Sequence, residues 1–213
     1  MQQKRINWKL VLGLGLGLLA AVAAVLIPTV AAGGPDATGR AAVAAHDMTA
    51  HHMAAHEMAA DDAALQDDLA QVRRVTARFH DIDAALGAGY ELGWVNGSGN
   101  RIITGCVAHP TDGAMGYHYF NKELMDDLAV DVLKPEVLVY APGPNGQRKL
   151  VAAEWVARGP NSNPPGVSEP PSILGMHMHI LVPAVGFYIM HAWVWRPNPA
   201  GMFADWNPEV SCP

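Results

Sequence analysis

The fold is decided by a stretch near the C-terminus, Phe187-Tyr188-Ile189-Met190-His191-Ala192-Trp193-Val194-Trp195. Successive side chains of a strand point to opposite faces of its sheet, and both faces of this stretch are apolar except at His191. Such a strand belongs in the middle of a sheet that is covered on both sides, or in the wall of a barrel. The stretch therefore predicts a buried central strand.

Further strands are indicated upstream of this stretch. Residues 136–141 and 149–157 are rich in β-forming residues and flank Asn145-Gly146, a pair that suits a hairpin turn with positive φ. Residues 115–120 and 176–182 also resemble strands, and residues 121–128 resemble a short helix. Hairpin connections of this kind favour an antiparallel sheet.

An amphipathic helix is predicted from Asp61 onward, before the first strand. Its apolar residues recur at spacings of three and four and form one face of a helix: Leu65, Leu69, Val72, Val75, Phe79, Ile82 and Leu86. Gly87 and Gly89 would end it. We therefore predict an α+β fold in which one long N-terminal amphipathic helix packs on an antiparallel, partly closed sheet, all within a single domain of residues 61–213.

Residues 1–32 have the layout of an export signal. Lys4, Arg5 and Lys9 precede an apolar and glycine-rich run, and small residues follow at 30–32. The segment is either a signal peptide that is cleaved after Ala32 or, since residues 10–32 could also cross a bilayer, an uncleaved membrane anchor. Both alternatives predict an extracytoplasmic location, periplasmic or secreted.

Charge and cysteine content indicate which classes of partner and which cellular compartment are expected. The formal net charge of −6 argues against nucleic acid or an anionic lipid surface as a partner, because both require basic surfaces. Contact with the membrane is expected only through residues 10–32, if they are not removed. Cys106 and Cys212 are the only cysteines, and in an exported chain an even number predicts a disulfide bond.

Residues 33–60 have the composition of a flexible tether. Ala, Gly, His, Met and Asp predominate, so the segment has too little apolar surface to offset the entropy of ordering it. Its imidazoles and thioethers could collect copper with low affinity, or be incidental to a spacer. The residues concerned are His46, Met48, His51, His52, Met53, His56 and Met58.

A transition-metal site is predicted in the folded domain. His177 and His179 are two residues apart in a strand-like segment, so both side chains would lie on one face, and a hairpin could bring His191 beside them. Three imidazoles suit copper or zinc. His118 and Glu154 are candidates for a fourth ligand or for a group that orients one.

Other interpretations of the same residues stay open. Histidines on apolar strands are often core residues that hydrogen-bond to the backbone. The late aromatic residues could line a cavity for a small apolar ligand, or simply pack against the helix. A zinc-dependent hydrolase with Glu154 as the base is also possible in principle, although no sequence motif of a known catalytic class is visible.

Two segments resemble those of a group of exported bacterial proteins. The first runs from Gly105-Cys106-Val107 through Gly113-Ala114-Met115-Gly116-Tyr117-His118-Tyr119-Phe120-Asn121. The second runs from His191-Ala192-Trp193-Val194-Trp195 through Asn198-Pro199 and Trp206-Asn207-Pro208 to Cys212. The resemblance implies one secreted domain and no particular activity.

Together these observations predict an exported domain that binds a transition metal, copper first and zinc second. The main alternative is a cell-envelope binding or structural module without a metal. In either case the expected partner is a metal ion or a small ligand, and the sequence leaves the oligomeric state undetermined.

Overall fold

A computed structural model of the protein describes residues 61–213. The predicted signal peptide or anchor at 1–32 and the predicted tether at 33–60 lie outside these residues. The described chain forms helices and an antiparallel sheet, so the predicted α+β class is confirmed.

Most of the helical elements precede the sheet, while a short helix and a 3₁₀ turn at Pro144–Gly146 lie between its strands. Besides that turn, they are α1 over residues 61–76, a 3₁₀ turn at Ala77–His80, α2 at Ile82–Gly87 and α3 at Lys122–Asp127. The single long helix expected for this region is interrupted, because Asp81 has an extended backbone (φ −83°, ψ 112°) and its side chain accepts a hydrogen bond from the Asp83 N–H. Asp81 is thus the N-cap of a new helix.

The strands vary from two to eleven residues. They are β1 (Tyr90–Leu92), β2 (Trp94–Val95), β3 (Arg101–Ile102), β4 (Val107–His109), β5 (Gly113–Asn121), β6 (Val137–Pro142), β7 (Arg148–Arg158), β8 (Ser172–Ile173), β9 (Met176–His177), β10 (His179–Ile180) and β11 (Phe187–Ala192). The β6–β7 turn has positive φ at Asn145 (58°) and Gly146 (76°), as its sequence predicts.

The main sheet has the strand order β1-β5-β6-β7-β11-β10, and β4 adds to β5. All of its strand pairs are antiparallel. Strands β1 and β10 stand at opposite ends of this order and do not pair with each other in the described part of the chain, so the partial closure expected from the sequence is not found.

Both faces of the sheet are covered. On one face, Leu69 and Val72 of α1 pack in a cluster with Trp155 and Met190. On the other face, β5, β6, β7 and β11 contribute to a second cluster that includes Trp193 and the C-terminal tail residue Val210. Every residue of β11 is buried, which explains why its sequence is apolar on both sides.

The C-terminal tail is fastened to the sheet by two links. Cys106 and Cys212 form a disulfide bond with a Cα–Cα distance of 5.6 Å, so the pairing predicted from the sequence is confirmed. Asn207 and Ala114 form an isolated β-bridge. Within residues 61–213, none of the helices combines the length and the apolar character needed to cross a bilayer.

Candidate functional site

The sheet face opposite α1 contains an apolar cavity of about 210 Å³. Strands β5, β7 and β11 form its floor, while its mouth is built by residues near β3 and β4 and by the β10–β11 connection. The lining consists of Ile103, Val107, Met115, His118, Phe120, Glu154, Val156, Leu181, Val182, Val185, Phe187 and Ile189. His118 and Glu154 are the two ionisable side chains in this lining.

Sheet register brings His118 and Glu154 together. His118 on β5 lies opposite Val139 on β6, and Glu154 on β7 lies opposite Val137 of the same strand. Residues 137 and 139 share a face of β6, so the two polar side chains also point to one face and meet across that strand. His118 Nε2 is 3.5 Å from Glu154 Oε2.

Burial determines the protonation of this pair. His118 is 4% exposed and Glu154 is 3% exposed. Burial lowers the pKa of His118 from 6.5 to about 4 and raises the pKa of Glu154 from 4.5 to about 8, because the charged form of each group is poorly solvated. At neutral pH the pair is therefore a neutral imidazole beside a protonated carboxyl. It offers an uncharged imidazole, with one donor and one acceptor nitrogen, and a carboxyl O–H donor in apolar surroundings.

His191 adds a third polar side chain beneath this pair. It lies directly opposite Glu154 in the β7–β11 ladder, is fully buried and stacks on Trp193 with ring centroids 4.7 Å apart. Burial, and then the nearby His118, lower its pKa well below 6.5. Neither of its ring nitrogens hydrogen-bonds to another described residue, and the same holds for His118 Nδ1.

Unpaired buried polar atoms are unfavourable, at about 1–3 kcal/mol each, so a cluster of them beside a cavity calls for an explanation such as a bound ligand. The group formed by His118, Glu154 and His191 is therefore the strongest candidate site in the described chain. Sequence analysis had named all three residues, but as metal ligands or their auxiliaries, and the apolar cavity that it left open was not expected beside them.

A second buried carboxyl, that of Glu136, was missed by sequence analysis. It is 1% exposed, and its Oε2 accepts a hydrogen bond of 2.9 Å from the Val156 N–H. Burial raises its pKa to about 8, and its proximity contributes to the raised pKa of Glu154. A glutamate at the start of an otherwise apolar strand-like run was the available signal. Its bond to the backbone indicates a structural role.

The structure separates His177 from the strand that carries His191, whereas His179 lies on β10 opposite Ile189, two residues from His191 along β11. The predicted strand 176–182 is divided at Met178, whose N–H donates to the Pro171 carbonyl and whose side chain enters the core beside α1. His177 and His179 are both exposed.

Each of these two histidines has a polar partner of its own. His177 Nδ1 lies 2.8 Å from Ser172 Oγ, and His179 Nε2 lies 3.1 Å from Asp205 Oδ2. Across residues 61–213 there is no group of three or more His, Cys, Asp or Glu side chains that could hold a metal ion. The predicted three-histidine group is therefore not found in the described residues: the hairpin forms only at β10 and β11, the break at Met178 removes His177 from it, and His179 is exposed and directed to Asp205.

The seven histidines and methionines of the predicted collector, residues 46–58, lie outside the described residues. The late tryptophans, which suggested an aromatic cavity, do not line the cavity that is present. Trp155, for example, packs with α1 on the opposite face. Phe120 and Phe187 supply its aromatic walls.

Comparison of the chain with protein-family models, curated proteins and solved structures yields no match. The cavity and its polar pair are therefore the basis for assigning a function.

Proposed function

We propose that this protein is an exported binding domain that holds a small, largely apolar molecule in the cavity on the β5–β7–β11 face. The observation that carries the proposal is the composition of the cavity, whose apolar lining is interrupted only by the buried pair His118 and Glu154. Ligand sites typically combine a mostly apolar wall with a few polar groups that orient the ligand.

The size of the cavity limits the ligand. A volume of about 210 Å³ is larger than the roughly 150 Å³ of an engineered protein cavity that binds benzene. A molecule with one ring and a short substituent would fit. For about eight non-hydrogen atoms the binding free energy should be of the order of 4 to 8 kcal/mol, which corresponds to a Kd between about 1 mM and 1 µM.

The connection between β10 and β11 provides a route of entry. Leu181, Val182 and Val185 line the cavity from this connection, and Val182 is 49% exposed. An apolar side chain at a cavity rim can be displaced without disturbing the floor, which is made of paired strands. Ligand exchange would therefore occur past this connection.

The predicted location supports a role outside the cytoplasm. The layout of residues 1–32 is that of an export signal, cleaved or retained, and the Cys106–Cys212 disulfide suits an oxidising compartment. A binding module of the cell envelope, the main alternative to metal binding in the sequence analysis, agrees with this proposal.

Copper, with zinc second, remains the proposed ligand of the segment 46–58. Four imidazoles and three thioethers in this short span support it, since thioethers bind Cu(I) and imidazoles bind copper and zinc. This collector would act independently of the cavity.

The cavity proposal is tested by filling the cavity from its rim. Calorimetric titration of the full chain with toluene should show one binding site. Val185→Trp, which adds a ring to a partly buried lining residue, should weaken toluene binding at least tenfold. Leu133→Trp makes a comparable change at a residue that is 40% exposed and outside the cavity, and it should leave binding unchanged. No toluene binding to the wild-type protein, or equal binding to both variants, would contradict the proposal.

A further inference from the structure

The segment that begins at β10 covers the cavity, and one side-chain contact ties it to the C-terminal tail. This inference rests on the proposed function, since it concerns access to the same cavity. We infer that residues 179–185 form a lid over the cavity, and that the contact between His179 and Asp205 holds this lid closed. These two residues then set the rate at which a ligand enters and leaves, although neither lines the cavity.

The lid lies between two fixed points of the chain. On its N-terminal side, Met178 has a buried side chain and donates its N–H to the Pro171 carbonyl. On its C-terminal side, the Gly186 carbonyl accepts a hydrogen bond of 2.8 Å from the Gly159 N–H. The segment between these points can therefore be displaced while the rest of the sheet keeps its pairing.

The lid is held to the sheet more weakly than the floor of the cavity is. Its strand β10 pairs with β11 only at His179 and Ile180, and it is the last strand in the order of the main sheet. In the floor, β7 pairs with the whole of β11. Ile180 and Val182 are 40% and 49% exposed, so their burial contributes little to closing the lid. Segments with short ladders and little buried apolar surface are the first to open.

His179 lies on the cavity side of β10. It is opposite Ile189, which lines the cavity, and directly opposed residues of neighbouring strands project to the same face. His179 Nε2 is 3.1 Å from Asp205 Oδ2. Among residues 61–213, this is the one side-chain hydrogen bond that joins the lid to another part of the protein.

Asp205 is a firm point of attachment, because the tail on both sides of it is fixed. The preceding Ala204 carbonyl accepts a hydrogen bond of 2.6 Å from Trp193 Nε1, and Asn207 forms a β-bridge with Ala114. The disulfide bond fastens the end of the same tail. The contact with this carboxylate therefore joins a segment that can be displaced to one that is held in place.

Removal of the contact should change rates and not affinity. The substitution His179→Ala leaves the walls of the cavity as they are, since this side chain is outside the lining. The free and the ligand-bound protein lose the same contact, so the lid opens more often in both, and association and dissociation accelerate by the same factor. For a half-exposed pair of this kind, the factor should be about two to five.

Exchange of toluene on the full chain, measured by NMR lineshape analysis of the cavity methyl groups, tests the lid. The variant His179→Ala should show the faster association and dissociation at an unchanged Kd. His177→Ala is the matched control, because it removes an exposed histidine of β9 whose partner, Ser172, is outside the lid, and it should leave both rates unchanged. Amide hydrogen exchange without ligand gives a second measurement. It should be faster over residues 180–185 in His179→Ala and unchanged in β7.

A double-mutant cycle assigns the effect to the contact itself. Asp205→Ala should accelerate toluene exchange by the same factor as His179→Ala. The two substitutions together should add nothing further, because either one alone already removes the contact.

The outcomes separate the inference from the proposal on which it rests. Unchanged exchange rates in His179→Ala, additive effects of the two substitutions, or weaker toluene binding without faster exchange would each overturn the inference and leave the apolar binding site intact. No toluene binding to the wild-type protein would overturn the proposed function itself. Amide hydrogen exchange would then still decide whether His179 holds the segment in place.

Discussion

Replacing Glu154 by glutamine shows whether this carboxyl holds a proton in the folded protein. Burial raises its pKa from 4.5 to about 8, so the folded protein keeps the proton where the unfolded chain has already lost it. The resulting stabilisation is fully present below the unfolded pKa and is lost as the pH rises toward 8. Glutamine does not titrate, and its N–H group can replace the carboxyl O–H beside His118.

The expected effect is large compared with ordinary surface substitutions. Each pH unit between the two pKa values changes the free energy of unfolding by about 1.4 kcal/mol. Between about pH 5.5 and about pH 7.5, the wild-type protein should therefore lose about 3 kcal/mol relative to Glu154→Gln. His118 and His191 are present in both proteins, so the difference between the two curves isolates the carboxyl.

Urea unfolding of the full chain at these two pH values, followed by tryptophan fluorescence, measures the effect. Glu169→Gln makes the same chemical change at an exposed residue, and its stability should run parallel to that of the wild-type protein. If Glu154→Gln also ran parallel to the wild-type protein, Glu154 would be ionised in the fold and paired with a charged His118. The conclusion that His118 and Glu154 form an uncharged pair in the cavity wall would then be wrong.

Three further predictions concern other parts of the chain. Replacing Cys106 and Cys212 by serine opens a link across 106 residues and should lower the free energy of unfolding by about 4 to 5 kcal/mol, measured by urea unfolding. Gly116→Ala should lower it by about 2 to 4 kcal/mol, because the new Cβ would lie 2.5 Å from the Tyr140 carbonyl oxygen at a φ of +122°. Gly105→Ala, with nothing within 4 Å of its Cβ, is the matched control, and equal effects of the two would refute the reasoning. Replacing His46, His51, His52 and His56 by alanine should reduce the copper bound by the full chain in elemental analysis, and unchanged copper would contradict the collector proposal.

Local sequence patterns predicted the central part of the sheet. Strands β6 and β7 follow the predicted segments 136–141 and 149–157 closely, since β-rich residues and an Asn-Gly turn act together within one short segment of the chain. The buried strand β11 was predicted from its two apolar faces, but it ends at Ala192 and not at Trp195 as the apolar run predicted. The disulfide could be predicted from the even number of cysteines together with the oxidising compartment that an export signal implies.

The break in the predicted helix could not be seen in the hydrophobic periodicity of the sequence. Phe79 and Ile82 continue the apolar spacing of Leu69 and Val72 across the break, so the hydrophobic pattern gives no sign of it. Asp81 was the available signal, because aspartate is a favoured N-cap and here accepts from the Asp83 N–H.

The site could be predicted only in part, since it depends on contacts between distant segments. His118, Glu154 and His191 were each placed on strand-like segments, which is correct. Which of these side chains meet is determined by the strand order, in which β6 lies between β5 and β7. No local sequence pattern specifies that order. The metal prediction assumed an unbroken strand over 176–182, and the bond from Met178 to Pro171 interrupts it.

The most direct test of a ligand cavity is methyl NMR of the full chain during titration with toluene. We expect saturable shifts at the methyl groups of Val156, Val185 and Ile189, which line the cavity. The methyl groups of Val72 and Leu69, which pack on the opposite face of the sheet, should not move. Shifts confined to other regions, or none at all at millimolar ligand, would contradict the account.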